Sequence, residues 1–163
     1  MLHVALYHPA IPQNTGNIGR LCVGMDAHLH IIEPAKFDFS DNSLKRAGLD
    51  YWPDVKLTVH ENEALFLEWL GERTPWLITK FGASRFDRVS YKDEDVLLLG
   101  NENTGLPDSW HARWPERRIY VPMPGPIRSY NLANTAAVVL AQAYVQLNDA
   151  DVTNHGGDRD PVG

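Results

Sequence analysis

The sequence predicts an α/β domain with a largely parallel sheet flanked by helices, and three observations carry that expectation. Short apolar runs bounded by turn residues alternate with helical segments along most of the chain. Two of the runs, 76–79 and 96–99, are apolar almost throughout, as strands buried on both faces tend to be. Loops rich in Asn, Gly and Pro stand at strand ends, where such sheets bind ligands.

Leu2 to Tyr7 is apolar and β-prone and reads as the first strand. Asn14 to Met25 places Ile18, Leu21, Cys22 and Met25 at helical spacing, with Asn14 or Thr15 available as a cap. Leu29 to Ile32 is a second strand. Ser40 to Ala47 reads as a short charged helix stopped at Gly48. Val55 to Val59 is strand-like, and Asn62 to Leu70 is a helix with Leu65, Phe66 and Trp69 on one face. Ile119 to Val121 is a further strand. Tyr130 to Leu147, rich in Ala, Val and Leu, is the longest helix, with Ser129 placed to cap it. These elements make one domain over residues 1–147. Residues 148–163 turn polar and Gly/Asp-rich and are expected to be a disordered tail.

The 163 residues suffice for one domain with its own core. No apolar run approaches the ~20 residues of a membrane span. The start of the chain lacks the basic and apolar regions of a signal peptide. A single cysteine, Cys22, forms no internal disulfide and suits a reducing cytoplasm. The net charge of −6 argues against coating nucleic acid broadly but leaves room for a local basic patch.

The first loop is Pro12-Gln13-Asn14-Thr15-Gly16-Asn17-Ile18-Gly19-Arg20. Its amides and hydroxyl can bind a polar ligand, Gly16 permits close backbone approach, and Arg20 can reach back over the loop. A plain helix cap with a solvated arginine explains the same residues. The second loop, Leu97 to Pro107, has Gly100 and Gly105 at P-loop spacing. It lacks the Lys-Ser/Thr that should follow, so a nucleotide reading fails. The third, Tyr120 to Asn134, carries three prolines and a glycine and has few free N–H donors.

Taken in order, Asn-x-Gly-Asn-x-x-Arg, Leu-Gly-x-Glu-x-x-Gly-Leu-Pro and Ile-x-Val-Pro-Met…Arg-Ser-x-Asn-Leu resemble the three motifs of SPOUT RNA methyltransferases. The likeness is closest to the bacterial tRNA (cytidine/uridine-34)-2′-O-methyltransferases. It extends to His30-Ile31-Ile32-Glu33-Pro34 and Arg46-Ala47-Gly48-Leu49-Asp50-Tyr51 and covers residues 1–147.

The resemblance implies a parallel sheet with a C-terminal trefoil knot, a homodimer, and S-adenosylmethionine as cofactor, released as S-adenosylhomocysteine. It places the cofactor at Ile78, Thr79, Gly100, Glu102, Val121, Met123, Ser129 and Leu132. It makes Arg20 essential to methylation of a ribose 2′-OH, with Asn14 and Asn17 supporting it catalytically. Arginine is a poor base because its pKa exceeds ~12, so orienting the hydroxyl and a phosphate is an alternative role. Arg20, Lys45, Arg46, Arg128 and Asn131 are the RNA-binding candidates, with Lys80, Arg85 and Arg88 as further cations and Tyr51, Trp52, Phe81 and Tyr130 as stacking candidates. The expected partner is the anticodon stem-loop of a tRNA.

The sequence departs from close relatives at Thr104, where they carry a basic residue. That weakens the wobble-position assignment and keeps rRNA or another tRNA position open. A non-catalytic RNA-binding or assembly factor is the alternative from another class. His28 and His30 could share a strand face, but with no third ligand in sight no metal is expected. Asp93-Glu94-Asp95 reads as a solvated turn.

Overall fold

Seven strands form one all-parallel sheet in the order β3-β2-β1-β6-β4-β7-β5: β1 (His3–Tyr7), β2 (His28–Ile32), β3 (Leu57–His60), β4 (Trp76–Ile78), β5 (Ser84–Arg85), β6 (Val96–Leu99) and β7 (Arg118–Tyr120). The computed structural model describes residues 1–38, 40–46 and 49–148, without the side chains of 41, 44 and 45. The expected polar tail lies outside the described residues, apart from Asn148, which ends the last helix.

Period-2 alternation divides the core into two layers. Val4 and Leu6 of β1 with Leu97 and Leu99 of β6 face α1 (Pro12–Gly24) and α5 (Leu132–Asn148). Ala5 and Tyr7 with Val96 and Leu98 face α3 (Glu63–Leu70) and α4 (Asp108–Arg113). Both faces of the central strands are thereby buried, so β6 reads as an unbroken Val-Leu-Leu-Leu run. A short α2 (Asp41–Arg46) and a 3-10 turn at Trp52–Asp54 lie between β2 and β3.

Several local expectations are corrected. Helix α1 begins at Pro12, a residue whose missing N–H costs nothing in a first turn. Asn14, Thr15 and Gly16 are therefore buried inside the helix, and neither Asn14 nor Thr15 caps it. Gly16 meets Leu49 and Tyr51, and Tyr51 donates its hydroxyl to the Gly16 carbonyl at 2.7 Å. In α3 the buried pair is Phe66 and Leu70, four apart, while Leu65 is exposed. Asn131, not Ser129, caps α5: its Oδ1 accepts from the amides of Ala133 at 2.9 Å and Asn134 at 3.2 Å. Strand β5 and helix α4 are too short to leave a periodic signature, although Pro107 marked the approach to α4.

Candidate functional site

The loops after β4, β6 and β7 converge with the start of α1 on a cavity of about 980 Å³. It lies beyond the carboxyl ends of the strands, on the side of β1 where the sheet order reverses direction. Ile78 and Thr79 line it from the end of β4, Gly100 and Glu102 from the second loop, and Val121, Met123, Ser129 and Leu132 from the third. All eight residues expected around a cofactor thus border one space, although 54 positions separate the first from the last.

The second loop is shaped by its own backbone. Asn101 and Gly105 exchange backbone hydrogen bonds of 3.1 and 2.9 Å, closing a small ring. Asn101 Oδ1 accepts from the amides of Asn103 and Thr104, and its Nδ2 donates to the His8 carbonyl at 2.6 Å. A Cβ on Gly100 would stand 2.4 Å from the Gly105 carbonyl carbon, and Gly105 itself has φ +70°. Both glycines serve the ring, and Gly100 also borders the cavity.

Glu102 likewise turns to the protein. Its carboxylate accepts from the amides of Ala10 at 2.8 Å and Ile11 at 3.1 Å and from Asn14 Nδ2 at 3.3 Å. It satisfies donors at the entry to α1, whose N-cap has no side-chain partner of its own. Asn14 Oδ1 accepts from Asn131 Nδ2 at 2.9 Å. The three motifs are therefore one hydrogen-bonded unit, with Asn14 buried at its centre.

The remaining expected residues separate. Arg128 and Asn131 line the cavity. Asn17 and Arg20 do not; they are exposed on α1, three residues apart. The Arg20 guanidinium lies 5.5 Å from the centroid of the Tyr51 ring, which faces it electrostatically as a cation–π pair. Arg46 is exposed on α2 and donates to the Asn42 carbonyl and Ser43 hydroxyl. The Lys45 side chain lies outside those described. Among the further cations, Lys80 lines the cavity while Arg85 is bound to Asp87 at 2.6 Å. Phe81 is exposed at the cavity and Tyr130 beside it donates to the Pro122 carbonyl, whereas Trp52 is core, seated on Gly19.

Sequence reasoning missed His111, Arg118 and Thr135, which also border the cavity. His111 Nδ1 is buried without a hydrogen-bond partner among the described residues, and burial holds its imidazole below the usual range. No spacing in the sequence points to it, because α4 has only six residues.

The cavity can hold an adenosine-sized ligand. Ile78, Leu99, Val121, Met123 and Leu132 supply apolar walls. Polar partners come from backbone groups of the three loops. Pro122, Pro124 and Pro126 withhold three donors but stiffen the third loop.

The chain is 43% identical over 148 residues to the tRNA (cytidine(34)-2'-O)-methyltransferase of Escherichia coli K12, covering 90% of this chain and 94% of that one. A solved structure described as giving insight into the 2-OH methylation of C/U34 on tRNA matches at a TM-score of 0.84 and 43% identity, covering 91% of this chain and 97% of the other. An AdoMet-bound rRNA methyltransferase from Sinorhizobium meliloti matches at 0.75 and 25% identity, over 90% of this chain and 56% of the other. Residues 1–141 match the SpoU rRNA Methylase family, and the chain belongs to that family.

Proposed function

We propose that this protein methylates the ribose 2′-OH of wobble nucleotide 34, a cytidine or uridine, in a tRNA, with S-adenosylmethionine as donor. The observation that carries the reading is the convergence of three sequence-distant motif loops on one cavity through the Asn14–Glu102–Asn131 contacts. The names of relatives about 43% identical over nine-tenths of the chain support the substrate. When bound, S-adenosylmethionine would supply a methyl group already activated on a sulfonium.

The walls of the cavity would grip the adenosine, and the loop backbones would fix its orientation. What remains for the protein is to align a ribose oxygen, the step that positioning accelerates most. Arg128 and Lys80 at the cavity, with Arg46 and Lys45 on α2, would hold phosphates of the anticodon stem-loop. Arg20 would orient the 2′-OH and its neighbouring phosphate; as a guanidinium it serves poorly as a base.

Arg20 lies outside its own chain's cavity, which supports a homodimer in which one copy's Arg20 serves its partner's site. Exposed Val138, Tyr144, Val145 and Leu147 on α5 offer apolar surface for such a contact. A C-terminal trefoil knot belongs to the same reading. It is supported by the order β6-β4-β7, which seats the late strand β7 against β4 before the chain returns to α1 through α5. In this reading the protein works in the cytoplasm. No helix among the described residues is long and apolar enough to cross a membrane.

A second reading, the same chemistry on rRNA or another tRNA position, is favoured by one observation: the two rim residues before Gly105 are Asn103 and Thr104, neither of them a cation. Incubation with labelled S-adenosylmethionine and total tRNA, followed by mass-spectrometric mapping, tests both. Label at nucleotide 34 is expected. Label elsewhere would move the substrate, and no transfer to any RNA would refute the enzyme.

A further inference from the structure

Away from the motif loops, four histidines gather on the sheet face covered by α3. His3 opens β1 and stands beside His28, which opens β2. His30 follows two residues later on the same face, and His60 ends β3. Only the His28-x-His30 spacing is visible in the sequence; the parallel pairing of β1 with β2 supplies the third imidazole. His3, His28 and His30 each offer a ring nitrogen, and these atoms all lie within 4.8 Å of one another.

We propose that His3, His28 and His30 form a binding site for a divalent transition-metal ion of the zinc class, clamping β1 to β2 apart from the methyl-transfer cavity. Imidazole nitrogen suits this class of ion and not calcium or magnesium.

The outer contacts of the three rings favour the site. His3 turns Nε2 to the Glu94 carboxylate at 3.0 Å, leaving Nδ1 inward, 3.0 Å from His30 Nε2. His30 in turn holds its Nδ1 3.0 Å from His60 Nε2. His28 places Nε2 2.8 Å from the Thr58 hydroxyl, so its other nitrogen is Nδ1. His3 and His30 therefore face each other through Nδ1 and Nε2 with their outer nitrogens anchored by Glu94 and His60, and His28 is held at Nε2 by Thr58. Metal-bound histidines are oriented in this way, often by a carboxylate.

The size is workable. Bonds of ~2.0–2.1 Å in a tetrahedron put ligand nitrogens about 3.4 Å apart. The His3–His30 pair has only to part slightly. The third ring, His28, is half-buried and stacked 4.4 Å from His30, so its rotation closes the set and opens a path from solvent. Trp69 covers the inner side, its ring centroid 4.0 Å from that of His30. Nearby cations are engaged: Lys56 with Asp26 at 2.6 Å, and Arg73 over the Trp69 ring and on the Trp69 and Leu70 carbonyls. A water would complete the coordination.

The test uses the full chain without an affinity tag, stripped with a chelator and titrated with Zn²⁺ and with Co²⁺. One equivalent should bind, Co²⁺ should give a tetrahedral-type visible spectrum, and Zn²⁺ should raise the melting midpoint. His28→Asn should abolish all three while leaving S-adenosylmethionine binding unchanged. Glu94→Gln should weaken binding ~10- to 100-fold, as loss of an outer partner does. Absence of stoichiometric binding would overturn the site and leave only a chain of hydrogen-bonded imidazoles. Binding undiminished in His28→Asn would also overturn it, pointing instead to the Met1 amine with His3.

Discussion

Asn131 Nδ2 donates to Asn14 Oδ1 at 2.9 Å, joining two residues 117 positions apart. The same Asn131 caps α5 through its Oδ1, and the same Asn14 reaches Glu102 through its Nδ2. One pair of amides thus ties the entrance of α1, the second loop and the start of the last helix. Asn131→Ala removes a cap, costing ~0.5–2 kcal/mol. It also leaves a buried acceptor on Asn14, costing a further ~1–3 kcal/mol. A lower denaturation midpoint and weaker cofactor binding are expected together. Asn131→Asp keeps the cap but removes the donor, so a variant as stable as the parent would show that the Asn14 bond contributes nothing.

Gly100→Ala should act more locally. The added methyl would press on the backbone of Gly105 and Leu106, which cannot move aside as a side chain could. The ring closed by Asn101 and Gly105 must open. Calorimetry should show a loss of S-adenosylmethionine affinity far larger than the fall in melting temperature. A proportionate fall in both would mean that Gly100 serves general folding.

How much of this was legible in the sequence depends on the range of the interaction. Strands β1, β2, β4 and β6 and helix α5 announce themselves through apolar runs, because burial on a sheet is written into consecutive residues. The cavity-lining positions were legible because motif spacing survives in the chain. The direction of Glu102 was not: its partners, Ala10 and Ile11, lie more than 90 positions away, and nothing local shows which way a carboxylate turns. His3 joined His28 and His30 only through the register of two parallel strands. Asp93 and Glu94 form the exposed turn the sequence suggests, and what was not legible is that they also bind the Met1 amine and His3 while half-buried Asp95 accepts from the Trp76 indole N–H.

Cys22 gives a pH prediction. It is fully buried in α1, and burial pushes its thiol from about 9 up to about 12. The folded state therefore prefers the protonated thiol more than the unfolded chain does. That contribution is complete below about pH 9 and is lost as pH rises toward about 12. Cys22→Ala should flatten the alkaline limb of the stability–pH curve while costing stability at neutral pH through the small cavity it leaves. A thiol reagent at pH 8 should leave the native protein unmodified and react once denaturant is added. Rapid modification of the native chain would contradict the burial.

Arg20 provides the sharpest test of how the site is assembled. Its guanidinium rests near Tyr51 and makes no wall of the cavity. Arg20→Ala should therefore abolish methyl transfer while leaving S-adenosylmethionine affinity nearly intact. Gly100→Ala should do the reverse, keeping Arg20 but losing the donor. If each site of a dimer takes its cavity from one copy and its arginine from the other, a mixture of the two inactive variants contains a mixed dimer. One of the two sites in that dimer has both an intact cavity and an intact arginine. A statistical mixture puts half of the dimers in that form with one working site of two, so about a quarter of the parental activity should return. If Arg20 serves its own chain's cavity, every site in the mixture is defective and no activity returns, however long the subunits are allowed to exchange.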